Sequence, residues 1–178
     1  MKAMDEMNNT FDKEVRPCEI RIDRDGVWYF RGAEMFRKDI VKLFYENLKK
    51  DAIGRYLIDM GNEKCYLDVE DTPFVVTSVQ RSGSRVGKGE NMFLTLIDGT
   101  EEKLDPSTLR IGKDNVLYCS IRNGEYEARF SRASYYEIAG SFDYDPEIDR
   151  YFFSINGEIF YIHGQPSLSF GNVGGESC

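Results

Sequence analysis

The sequence predicts an α+β protein made of two similar units, each a hairpin, a helix and further antiparallel strands. Short β-prone runs separated by Asp-Gly or Asn-Gly pairs read as hairpins. Only Phe36 to Lys50 and a shorter stretch after Ser131 carry helical spacing. A hairpin leading into a helix occurs twice, about a hundred positions apart, as an internal repeat would place it.

In order, residues 1–17 are polar and without periodicity, and read as a flexible arm. Cys18 to Asp23 and Val27 to Arg31 form the first hairpin, turned at Asp25-Gly26, where glycine adopts positive φ without steric cost. Phe36, Ile40, Leu43, Phe44 and Leu48 recur at three- and four-residue steps and place one apolar stripe on a helix. Lys49 and Lys50 suit the negative end of that helix, and Gly54 stops it. Arg55 to Asp59 and Glu63 to Val69 pair around Met60-Gly61-Asn62, and Pro73 opens a strand from Phe74 to Val79.

Arg81 to Glu90 is rich in glycine and serine, and fits a hinge or a long hairpin loop equally well. Asn91 to Ile97 follows as a strand. Val116 to Arg122 and Glu125 to Phe130 pair across Asn123-Gly124, and Ser131 can cap a helix ending near Gly140. That helix is expected to bury Tyr135, Tyr136, Ile138 and Ala139. Tyr151 to Ile155 and Glu158 to Ile162 pair across Asn156-Gly157. The domain boundaries are then a flexible arm over 1–17, an N-terminal domain over 18–81, a loop or linker over 82–90, a C-terminal domain over 91–164 and a flexible tail over 165–178. In the repeat, Asp25-Gly26 aligns with Asn123-Gly124, Arg31 with Arg129, Tyr56 with Tyr151 and Tyr66 with Tyr161.

Composition limits the function. The chain has 178 residues, 41% hydrophobic and 30% charged, with a net charge of −8. That balance suits a soluble globular protein and argues against nucleic acid or an anionic membrane as partner. No apolar run approaches the roughly 18 residues needed to cross a bilayer, and no secretory signal opens the sequence, so a cytoplasmic location is expected. Cys18, Cys65, Cys119 and Cys178 are widely spaced, which excludes the usual zinc motifs and a disulfide-dense scaffold. No cofactor motif is present, and neither cofactor nor metal is expected.

The ordered series Asp25-Gly26-Val27-Trp28-Tyr29, Gly32, Arg37, Leu43-Phe44, Gly54, Tyr56, Glu63-Lys64 and Val69-Glu70-Asp71-Thr72-Pro73-Phe74 resembles a bacterial family known as domain-of-unknown-function family 1285. The resemblance continues through Arg122, Ala128-Arg129, Arg132 and Tyr135-Tyr136, and spans roughly residues 18–163. It implies a duplicated α+β core with a C-terminal half superficially like a pleckstrin-homology fold. It also implies a ligand site at the domain interface, for a nucleotide-like molecule, and a role in signalling. It brings no established enzyme activity.

Arg37 and Lys38 open the first helix, and Arg132 opens the second. A cation there opposes the helix dipole unless something negative lies close. The negative group can be an anionic ligand on the helix N–H groups or an internal carboxylate such as Glu34, Glu70 or Asp71. Glu63-Lys64 and Glu70-Asp71 bracket a strand and read as solvated strand-end charges. Trp28 and Tyr29 point to opposite faces, one for core packing and one free to stack. His163, the one histidine, stands at a strand end unsuited to a catalytic triad. Gly83 to Gly89 lacks the spacing of a phosphate loop, and Asp143 to Asp149 lacks the glycine and glutamate of a calcium loop.

The leading expectation is therefore a non-enzymatic module of bacterial signalling that senses a small anionic or nucleotide-like ligand at the interface between the two domains. Arg37, Lys64, Arg129 and Arg132 would contact the anion, with Trp28 and Tyr136 stacking or lining the wall. The alternative is a protein–protein interaction module in which those arginines are structural.

Overall fold

Where turn residues punctuate the sequence, the chain reverses and the flanking runs pair. The computed structural model describes residues 15–83 and 89–164. Residues 1–14, 84–88 and 165–178 lie outside the described residues, and with them most of the expected arm and the whole expected tail, but Arg16 and Pro17 of that arm open a strand. Among those described, no helix is long and apolar enough to cross a membrane.

The chain divides between Val69 and Glu70, with the turn Asp23–Val27 grouped with the second unit. The N-terminal unit contains β1 (Arg16–Ile22), β2 (Trp28–Phe30), β3 (Ala33–Glu34), α1 (Lys38–Glu46), β4 (Leu48–Lys50), β5 (Tyr56–Asp59) and β6 (Lys64–Val69). They form one sheet in the order β3-β2-β1-β6-β5-β4. All neighbours are antiparallel except β1 and β6. Ile20, Ile22, Trp28, Tyr45, Leu48, Leu57 and Ile58 are buried there.

The second unit contains β7 (Phe74–Ser82), β8 (Asn91–Leu96), β9 (Glu101–Lys103), β10 (Arg110–Ile111), β11 (Leu117–Ile121) and β12 (Tyr126–Phe130). It continues with α2 (Arg132–Ala139), β13 (Phe142–Asp145), β14 (Arg150–Ile155) and β15 (Glu158–Tyr161). Its large sheet runs β10-β11-β12-β7-β8-β9, and β13-β14-β15 is a separate small sheet. β7 and β12 are the parallel pair. Phe74, Val76, Leu94, Leu117, Cys119, Ala128, Phe130, Ile138 and Phe153 are buried. Ile155 pairs with Glu158 across Asn156-Gly157, both at positive φ, as a two-residue hairpin turn requires. The Asp25-Gly26 turn is fixed by Asp23 Oδ1, which accepts the N–H groups of Asp25 and Val27. Gly26 has φ +80°, and a Cβ there would lie 2.7 Å from Ile97 Cδ1.

Both six-stranded sheets obey one rule. Two antiparallel triples adjoin so that the first strand of one lies parallel to the last strand of the other. Under that rule β6 corresponds to β12, and the Met60-Gly61-Asn62 turn corresponds to Asn123-Gly124. The similarity of the units is real, but its phase differs from the expected one, which set Asp25-Gly26 against Asn123-Gly124. The reason is physical: hairpins followed by helices look alike in sequence, whereas strand order depends on pairings between distant segments.

Other boundaries also differ. The first helix ends at Glu46, because Leu48, Lys49 and Lys50 pair with Ile58, Leu57 and Tyr56 as β4. Phe36 precedes the helix and is 79% exposed. α2 buries Ile138 as expected, and Ser134 besides, but half-buries Tyr135 and Ala139 and leaves Tyr136 exposed. β7 and β8, which flank the expected loop or linker of residues 82–90, pair antiparallel within the second sheet. Cys18 and Cys65 form a disulfide between β1 and β6, a pairing that sequence spacing does not suggest.

Candidate functional site

Three of the six expected ligand residues, Arg129, Arg132 and Tyr136, line one cleft of about 290 Å³ in the second unit. The start of α2 builds it. Ser131 is extended and its Oγ accepts the N–H of Ser134 at 3.1 Å, capping the helix as the sequence indicated. Ser134 is fully buried and donates its hydroxyl to Val76 O at 2.7 Å, which ties the first turn of α2 to β7. Glu137 accepts the N–H of Val79 at 2.6 Å and holds the helix a second time. The cap serves Ser134 and leaves the first-turn N–H groups of Arg132 and Ala133 to other acceptors.

Arg132 is exposed, and among the described residues no carboxylate lies within ion-pair reach of it. Its guanidinium stands 6.0 Å from the centre of the Tyr136 ring, which is 63% exposed. Tyr135 packs edge-on to Tyr136 with ring centres 5.7 Å apart, and also lines the cleft. Across from them run Asp114 and Asn115, consecutive residues with φ of 57° and 60°. Asp and Asn tolerate that left-handed backbone better than other non-glycine residues.

Arg129 projects from β12 and is held from behind. Its Nη1 lies 3.0 Å from Asp71 Oδ2, which also accepts the Tyr118 hydroxyl at 2.8 Å. Burial first, and then the Asp71 carboxylate, push the Tyr118 hydroxyl up to about 12. Arg110 stacks 4.2 Å from the Tyr118 ring centre and forks onto both oxygens of Glu127 at 2.5 Å. Arg129 is thus oriented and partly neutralised, while Arg132, at a helix N-terminus, has no ion-pair partner among the described residues.

The remaining expected residues belong to the N-terminal unit. Arg37 sits at the cap position of α1 and forks onto Asp39 at 2.5 and 3.2 Å, which raises the guanidinium and lowers the carboxyl from their usual ranges. Lys64 lies 3.2 Å from Asp59, whose other oxygen accepts the Gly61 N–H. Asp59 also receives Lys49 at 2.9 Å, and these bonds hold its carboxyl down to about 2. Trp28 is 2% exposed, with its ring against Phe44 and Tyr45, so it is a core residue and not a stacking wall. Lys64 lines a second concavity of about 610 Å³ with Arg16, Glu63 and Cys65.

His163 is exposed and bound through its backbone to β10: its carbonyl accepts from Ile111 at 2.7 Å and its N–H donates to Leu109 at 3.0 Å. Asp145 and Asp149 accept the hydroxyls of Tyr161 and Tyr144 in an exposed turn. No cluster of metal-ligating side chains occurs among the described residues.

Sequence reading missed Tyr135 as a cleft residue and Asp114-Asn115 as the facing wall. The adjacent Asp and Asn, a left-handed turn signal, were the available clue to the second. Asp39, the true partner of Arg37, was equally visible two positions on.

Residues 12–72 match the family model described as domain of unknown function (DUF1285), N-terminal domain. A search of the curated proteins finds no match. Among solved structures, a DUF1285 family protein from Silicibacter pomeroyi DSS-3 is 24% identical, with 83% of this chain and 80% of that chain covered and a TM-score of 0.69. A DUF1285 family protein from Shewanella baltica OS155 is 21% identical, with 71% and 94% covered and a TM-score of 0.58. Likenesses at that identity establish the fold alone.

Proposed function

We propose, from the match of residues 12–72 to the DUF1285 N-terminal domain model, that this chain is a non-enzymatic binding module for a small anionic, nucleotide-like ligand. The observation that carries the proposal is Arg132. It opens α2 with no acidic partner among the described residues, beside first-turn N–H groups, an oriented Arg129 and the exposed Tyr136 ring. A helix start of this kind favours negative charge through both the dipole and the unsatisfied donors.

A cleft of about 290 Å³ is at the small end for ligand pockets, so it suits a phosphate-sized group with the rest of the ligand stacked outside. Tyr136 is placed for that stacking. The titratable pair behind Arg129 works against acid–base chemistry, because Tyr118, held up to about 12, keeps its proton through the neutral range. For the signalling role, only the family resemblance speaks.

A thermal-shift series with inorganic phosphate and adenine nucleotides tests the reading. Binding raises the melting temperature by mass action. Arg132→Ala abolishes the rise, whereas Arg37→Ala leaves it intact because Arg37 is already satisfied by Asp39. No rise with any anion, or an equal loss in both variants, overturns it. The second reading, docking of a protein partner, is favoured by exposed apolar side chains in the N-terminal unit: Phe36, Leu43 and Ile53.

A further inference from the structure

The disulfide lies at an irregular place in its sheet. β1 pairs with β6 as Arg16 with Cys65 and Pro17 with Tyr66, then resumes at Arg21 with Asp68. The extra residues on β1 form a bulge that contains Cys18 and Glu19, the latter at φ 57°. Both cysteines are half-buried, so neither sulfur is sealed into the core. Cys65 also lines the concavity of about 610 Å³, beside Arg16, Glu63 and Lys64. Among the described residues its lining carries two cations, Arg16 and Lys64, against one carboxylate, Glu63. That local sign is opposite to the chain's net charge of −8.

We propose that Cys18 and Cys65 form a reversible thiol–disulfide switch, reduced by a small anionic thiol and oxidised by that thiol's disulfide, each reaching Cys65 through this concavity. In the oxidising direction, the Cys65 thiolate attacks one sulfur of a low-molecular-weight disulfide. A mixed disulfide forms and one thiolate leaves. The Cys18 thiolate then attacks the Cys65 sulfur and expels the second. Two protein thiols and one small disulfide become one protein disulfide and two small thiols, so electrons and protons balance. Arg16 and Lys64 favour the Cys65 thiolate and attract an anionic partner. Closing the bond staples β1 to β6 at the bulge, and opening it frees that pair to shift.

The test uses the full chain with Cys178→Ser, so that the thiol outside the described residues does not report. Native protein is reduced by glutathione, which is anionic, or by cysteamine, which is cationic, at equal thiolate concentration. Glutathione is expected to be at least about five-fold faster, with the gap closing as salt is raised. Cysteamine being faster, as the net charge alone demands, overturns the proposal, as does a disulfide that neither thiol reduces without denaturant. With oxidised glutathione, Cys18→Ser is expected to trap an adduct on Cys65 in the intact mass and peptide map. Cys65→Ser is expected to label Cys18 at least about ten-fold more slowly. Equal labelling of the two overturns Cys65 as the entry point.

Discussion

The two six-stranded sheets share a strand order but join their central parallel strands by different means. In the second unit, β7 meets β12 through Phe74, Val76, Ala128 and Phe130, all essentially sealed from solvent. In the N-terminal unit, β1 meets β6 across a bulge, and Cys65, Tyr66, Leu67 and Val69 are only half-buried. There the covalent bond between Cys18 and Cys65 joins the strands. The same topology can thus be closed by apolar burial or by a crosslink. The helix starts divide in the same sense: Arg37 is satisfied locally by Asp39, whereas α2 is capped and docked but gives Arg132 no ion-pair partner among the described residues.

The largest effect should come from the apolar join. Phe74 is fully buried, edge-on to Tyr126 at 5.2 Å, with the Arg122 guanidinium 4.4 Å from its ring centre. Phe74→Ala should cost about 3–5 kcal/mol, read by denaturant unfolding and lost amide protection in β7 and β12. A loss spread equally over β1 and β6 would break the contrast between the joins.

Next comes the crosslink. Reduction of Cys18–Cys65, which spans 47 positions, should cost about 2–4 kcal/mol. Hydrogen exchange should rise in β1 and β6 while β7 and β12 stay protected. If β6 keeps full protection without the bond, its half-buried side chains suffice and the contrast fails.

A smaller effect is expected at the cap. Ser131→Ala removes the acceptor for Ser134 N–H and should cost about 1 kcal/mol, local to α2. The smallest concerns acid. Asp59 is held down to about 2 in the folded chain against an ordinary 3.8, so its contribution to stability is present above that ordinary value. It disappears as pH falls from 3.8 through about 2, and Asp59→Asn should flatten the acid limb of the N-terminal unit's unfolding curve across that window. An unchanged limb would mean that Lys49 and Lys64 contribute nothing there.

Local chemistry made much of this legible. Asn156-Gly157, Ser131 and the Tyr56–Asp59 and Lys64–Val69 pair are where turn, cap and alternation rules place them. What escaped depended on partners distant in sequence. Leu48 has both helical spacing and strand chemistry, and its pairing with Ile58 decides the outcome. The phase of the repeat escaped for the same reason, since β7 and β12 meet through residues more than fifty positions apart. At the site, Arg129, Arg132 and Tyr136 lie within eight positions, and one strand and one helix bring them together. Arg37, Lys64 and Trp28, expected beside them, belong to the N-terminal unit, where Arg37 and Lys64 pair with Asp39 and Asp59 and Trp28 is buried.

A phosphate titration of the full chain, followed by backbone amide NMR, tests the central claim most directly. The account predicts saturable shifts confined to the amides of Arg132, Ala133 and their neighbours around Tyr136, absent in Arg132→Ala, with the α1 start unmoved. Shifts at Lys38 and Asp39 equal to those at α2, or none at either helix, would contradict it.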